Sequence, residues 1–179
     1  IMAAQGFDSL TVDMQHGALD YSDLLPMLQA MRASGAALLA RVPWLDPAHV
    51  MKALDAGCDG IICPMISTAD EAARLVRYMR YPPDGERSSG PTRAVYAHGK
   101  DYAVRANASV MAFAMIETAE GLANLEGILA TPGLDGIYVG PSDLTLSVSQ
   151  GKRPPGLDRQ EAEMQAHLQR IAAACQRQG

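Results

Sequence analysis

Asp13 and His16 stand three residues apart in TVDMQHGALD, residues 11–20, directly after an apolar run. A carboxylate beside an imidazole is the pairing that general acid/base chemistry uses, the acid orienting the ring. Arg41 closes a second apolar run, AALLAR at 36–41. Its planar fork suits a substrate carboxylate or a developing enolate oxygen. Glu117 closes VMAFAMIE at 110–117, and Asp143 follows DGIYVG, 135–140, in the turn Gly140-Pro141-Ser142-Asp143. Two carboxylates suit a hard divalent cation such as Mg²⁺ or Mn²⁺, which prefers oxygen ligands and keeps positions open for water and substrate. The same turn offers backbone N–H groups near a helix start, a weak anion-binding feature. Each residue also has a structural reading: a turn histidine at His16, an ion pair at Arg41, a helix-cap neighbour at Glu117 and a turn cap at Asp143.

What would bring these side chains together is their place at strand ends. Five short aliphatic or β-branched runs, at 8–13, 36–41, 59–64, 110–117 and 135–140, read as strands. Between them, apolar residues recur at helical spacing, as in Leu24, Leu25, Leu28 and Met31, or Ala72, Leu75, Val76 and Met79. Asp20 or Ser22, Asp46 before Pro47, Thr68 with Glu71, and Thr118 signal helix starts, and Gly35, Gly57 and Gly133 signal stops. Strict alternation predicts an α/β protein with a parallel sheet. In such folds catalytic groups collect at the carboxyl ends of the strands, where the loops surround one cavity. Four of the five ends carry ionisable groups.

A (β/α)₈ TIM barrel takes about 250 residues, so 179 falls short of one. The chain reads as one partial barrel domain over 1–179, with an open doubly wound sheet as the alternative. The segment 81–102, YPPDGERSSGPTRAVYAHGKDY, is rich in Pro, Gly and Ser and reads as a long surface loop carrying Arg87 and Arg93.

The remaining features mostly exclude. Hydrophobic residues make up 48% and charged residues 20%, ordinary for a globular protein. The net charge is −5 and the arginines are scattered among acids, so nucleic acid is not an expected partner. Cys58, Cys63 and Cys175 form no C-x-x-C pair, which argues against a disulfide framework or zinc knuckle and for a reducing, cytoplasmic setting. No apolar run approaches the roughly 20 residues that span a bilayer, so no membrane association is expected. Lys52, Lys100 and Lys152 are the only lysines, all away from strand ends, which disfavours a Schiff-base mechanism. No G-x-G-x-x-G or G-K-[ST] follows a strand, so dinucleotide and nucleoside triphosphate binding lack their marks.

VDMQHG at 12–17, ARVPWLDP at 40–47, PM at 64–65, RYPPDGERSSGPTRA at 80–94, MIET at 115–118 and GIYVGPSDL at 136–144, in this order, resemble the HpcH/HpaI family of class II pyruvate aldolases. The resemblance implies a barrel of the phosphoenolpyruvate/pyruvate type, with this chain covering roughly strands 2 to 6. It implies a lyase that cleaves 4-hydroxy-2-oxo acids reversibly to pyruvate and an aldehyde through a metal-stabilised pyruvate enolate. Glu117 and Asp143 match the metal-ligand positions, with Mg²⁺, Mn²⁺ or Co²⁺ as the cation. Arg41 matches the arginine that holds pyruvate, and His16 the base, with Asp13 as its partner. Gln15, Gly140, Pro141 and Ser142 fall among the substrate-binding positions, and Arg87 and Arg93 look like candidates for reaching an acidic aldehyde, across an interface if need be. A homo-oligomer, a hexamer by resemblance, is expected. Other metal-enolate lyases of the citrate lyase β type, an oxaloacetate decarboxylase and a non-catalytic barrel fragment remain as alternatives. Met115 stands where some members have Gln, and the family's first strand and last two have no counterpart here.

Overall fold

A computed structural model describes residues 1–178. All five strands form where expected: β1 (Ser9–Asp13), β2 (Ala37–Arg41), β3 (Gly60–Cys63), β4 (Met111–Ile116) and β5 (Gly136–Val139). They pair in parallel, each with its neighbour in sequence, in the order β1-β2-β3-β4-β5. A doubly wound sheet would reverse direction part-way across its strand order. Unbroken sequential order is instead that of consecutive β/α units of a barrel.

Side chains alternate across this sheet. Leu10, Val12, Leu38, Ala40, Ile61, Ala112, Ala114 and Ile116 face outward into the main core, where the helices cover them. The opposite face carries a smaller apolar cluster, Leu39, Ile62 and Met115, with Met111 and Phe113 against it. The covering helices are α1 (Tyr21–Met31), α2 (Pro47–Asp55) and α3 (Ala69–Met79) after the first three strands. Asp20, Asp46 and Thr68 cap their starts, the first and third through reciprocal capping boxes. After β4 come α6 (Ala119–Ala123), capped by Thr118, and α7 (Leu125–Leu129); after β5 come α8 (Pro141–Val148) and α9 (Ala162–Gln178).

The expectation of a long surface loop over 81–102 is corrected. Two short helices, α4 (Thr92–His98) and α5 (Tyr102–Ser109), form there, and Tyr81, Ala94, Tyr102 and Ala106 make a small core of their own. Arg87 anchors it. The guanidinium lies 4.6 Å from the Tyr81 ring and 5.5 Å from the Tyr102 ring, and donates to the Tyr102 hydroxyl at 3.0 Å and to Asp55 at 2.7 Å.

At the amino ends of the strands, two acids brace the sheet. Asp59, before β3, accepts the Leu38 N–H of β2 at 2.7 Å; Asp135, before β5, accepts the Ala112 N–H of β4 at 2.7 Å. Each is followed by a glycine that lets the next strand in close: a Cβ at Gly60 would stand 2.7 Å from the Met111 carbonyl oxygen.

Candidate active site

At the opposite, carboxyl ends of the strands lies a cavity of about 460 Å³. Asp13 and Arg41 reach it because parallel register sets them side by side on β1 and β2, on the inner face. Arg41 Nε donates to Asp13 Oδ1 at 2.8 Å, and Nη2 donates to Oδ2. Such a two-point pair fixes the plane of the guanidinium. Burial pushes the Asp13 carboxyl up, but hydrogen bonds from Arg41 and from the Gln15 N–H, at 3.1 Å, outweigh it and hold the group below the usual carboxylate range. Nη1 of Arg41 points instead to Met115 on β4, 4.0 Å from its sulfur.

This arrangement corrects one expectation. Asp13 engages Arg41 and not the His16 ring, because register brings β2 alongside β1 while the chain turns away after Asp13. His16 still lines the cavity, from the turn after β1.

Glu117 directly follows β4 and is only 1% exposed. Its Oε1 accepts the Met65 N–H at 2.7 Å. Met65 adopts a left-handed φ of 58°, a conformation that costs a non-glycine residue energy and here aims a backbone donor at the carboxylate. The other oxygen, Oε2, occupies space that a side chain on Gly140 would fill, since a Cβ there would come within 2.2 Å of it. Burial drives the Glu117 carboxyl above its ordinary value. Asp143 adds to that rise, while the Met65 N–H, Arg41 and His16 oppose it.

Asp143 stands in the first turn of α8, and Gly140, Pro141 and Ser142 line the cavity beside it. Glu117 and Asp143 thus form an all-oxygen pair at neighbouring strand ends. Among the described residues there is no cluster of three or more His, Cys, Asp or Glu side chains placed for a metal. Two carboxylates with water and substrate completing the shell are the donor set that Mg²⁺ uses. The buried Oε2 in its glycine cradle fits that role.

The remaining expected residues lie elsewhere. The Gln15 side-chain oxygen is buried without a hydrogen-bond partner and is absent from the cavity lining. Arg87, its side chain 0% exposed, donates to Asp55 and to Tyr102 and lies over the Tyr81 and Tyr102 rings, outside this cavity's lining. Arg93 lies in α4, half-buried and outside the cavity. The lining also includes Thr11, Ile62, Met115 and Tyr138, inward-facing strand residues that period-2 alternation marks once the inner face is known, and Leu157, which no sequence motif marks. Met65 acts through its backbone N–H, for which a one-letter sequence carries no signal.

The profile of the HpcH/HpaI aldolase/citrate lyase family matches residues 1–179. A hydroxypyruvate/pyruvate aldolase of Rhizorhabdus wittichii is 41% identical over 163 residues, which cover 91% of this chain and 64% of that protein. A 5-keto-4-deoxy-D-glucarate aldolase of Klebsiella pneumoniae is 33% identical over 181 residues, covering 100% of this chain and 69% of that one. The crystal structure of a family protein from Burkholderia cenocepacia superposes with a TM-score of 0.88 at 34% identity, over 99% of this chain and 70% of that chain. This chain therefore spans roughly two thirds of the length of such relatives, 64% of the Rhizorhabdus protein. With the strand order, the two-carboxylate mouth and a match along its entire length, the chain belongs to the HpcH/HpaI aldolase/citrate lyase family.

Proposed function

We propose that this site performs reversible aldol cleavage of a 4-hydroxy-2-oxo acid to pyruvate and an aldehyde. The observation that carries the reading is the meeting of the Asp13–Arg41 pair, His16, Glu117 and Asp143 on one cavity at the carboxyl ends of β1, β2, β4 and β5.

Cleavage breaks the C3–C4 bond. The proton of the C4 hydroxyl leaves, its electrons form the aldehyde carbonyl, and the bonding pair stays on C3 as the pyruvate enolate until a proton makes the methyl group. Glu117 and Asp143 would hold a divalent cation, Mg²⁺, Mn²⁺ or Co²⁺, which supplies Lewis-acid stabilisation of negative charge at the 2-oxo oxygen. Arg41, its plane fixed by Asp13, presents a preorganised positive charge to the carboxylate and to the developing enolate. Preorganised donors of this kind contribute about 3–4 kcal/mol where measured. His16 takes the C4 hydroxyl proton, directly or through a water. No helix among the described residues is long and apolar enough to cross a membrane, and we place the reaction in the cytoplasm, in a homo-oligomer.

Pyruvate release from 4-hydroxy-2-oxoheptanedioate, with and without Mn²⁺, tests the reading on this chain and on a form extended to the length of its relatives. Metal-dependent release is expected, falling by roughly 100-fold or more in Arg41→Ala and Glu117→Ala. Turnover within a few-fold of the parent in both variants would sink the assignment.

A further inference from the structure

Among the described residues, every cavity-lining residue but one belongs to a strand or to the few positions directly after it. The exception is Leu157, from the connection between α8 and α9, an apolar side chain on a residue 80% exposed at the rim. Its connection is a built one. The buried Arg159 crosses it, with Nη1 donating to the Pro154 carbonyl at 3.2 Å and Nη2 paired with Glu161. Gly156 leaves room for that guanidinium, since a Cβ there would meet Nη1 at 2.7 Å. The Arg153 N–H donates to Ser149 Oγ at 3.1 Å, and the Arg153 side chain pairs with Glu163 at 2.8 Å. A pinned loop that holds a leucine in water gains by its being covered.

The charges around the cavity point the same way. Among the described residues, Arg41 is the one arginine of the lining, and Asp13 already engages it; no lysine lines the cavity, and neither Arg87 nor Arg93 does. Asp13, Glu117 and Asp143 are all acids. A 2-oxo acid's own carboxylate is provided for by Arg41 and a cation on the acids. On the walls that this chain supplies, a second carboxylate at the far end of the substrate would meet Leu157 and no further cation.

We infer that Leu157 is a specificity-determining residue, and that it favours a 4-hydroxy-2-oxo monocarboxylate with an uncharged, apolar aldehyde half over the matching dicarboxylate. The inference rests on the aldolase reading. It reverses the expectation of an acidic aldehyde held by Arg87 or Arg93.

The test compares kcat/KM for 4-hydroxy-2-oxoheptanoate and 4-hydroxy-2-oxoheptanedioate, which differ only in the far carboxylate, using the chain extended as above. The monocarboxylate is expected to win by about 10-fold or more. Leu157→Arg is expected to narrow or invert that ratio, and Arg159→Ala, which unpins the loop, to narrow it. Preference for the dicarboxylate, as an arginine reaching in from a neighbouring copy would produce, overturns the inference. So does a Leu157→Arg ratio within about two-fold of the parent. Deuterium exchange into the pyruvate methyl group, which needs no aldehyde, is run alongside. Exchange without discrimination removes the inference and leaves the aldolase reading standing, whereas absence of exchange removes both.

Discussion

Glu117 is a carboxylate kept where its charge is disfavoured. Burial raises its pKa, so the unfolded chain gives up this proton near the ordinary value while the folded chain retains it to higher pH. In that window the folded state binds more protons, and stability therefore falls as pH rises through it. The metal-free chain is expected to lose stability from this group as pH climbs above about 4.5, the ordinary Glu value. Glu117→Gln keeps an acceptor for the Met65 N–H and removes the buried charge. It is expected to raise Tm by a few degrees without metal at pH 7 and to abolish the further rise expected of the parent with Mn²⁺; calorimetry with and without Mn²⁺ measures both. A variant no more stable than the parent would mean that Glu117 is not strained by burial. At this scale the sequence was readable where a charged residue ends an apolar run, as at Arg41 and Glu117. It misled at Asp13, whose neighbour at a spacing of three, His16, drew attention from a partner on the adjacent strand that only register supplies.

Among the elements, strands and capped helices were legible because each carries a local signal: β-branched or aliphatic runs, Asp46 before Pro47, Thr68 with Glu71. The segment after α3 was not. Its helices are short and lie among Pro, Gly and Ser, and their stability comes from a tertiary anchor, Arg87, that composition marks as a surface residue. Removing one partner of a buried ion pair typically costs about 3–5 kcal/mol. Arg87→Ala is therefore expected to lower Tm by roughly 10 °C, with early proteolytic cleavage in 81–109, while KM for the folded fraction stays unchanged. A KM rise of about 10-fold or more at intact stability would return Arg87 to substrate binding.

For the molecule as a whole, sequential strand order decided between a barrel segment and an open doubly wound sheet, a distinction that alternation of elements alone leaves open. Among the described residues β1 and β5 pair on one side only, and part of the inner face is open, with Tyr138 47% exposed. Unpaired parallel edges invite association. Sedimentation velocity on the 179-residue chain alone is expected to show concentration-dependent growth of species, and a form extended by the remaining strands of its relatives to show one defined species. A monodisperse monomer of the short chain would count against the barrel needing those strands.

Asp59 and Asp135 lie at the far end of the sheet from any chemistry, yet they act as its rulers. Slipping a strand by one residue would turn its inner side chains outward, and a slip of β2 would send Arg41 into the helix layer, away from Asp13. By clasping the Leu38 and Ala112 N–H groups, the two acids index β2 against β3 and β4 against β5. Alignment at the mouth is thus metered from the base, which leaves the loops above free to diverge in what they hold without losing count.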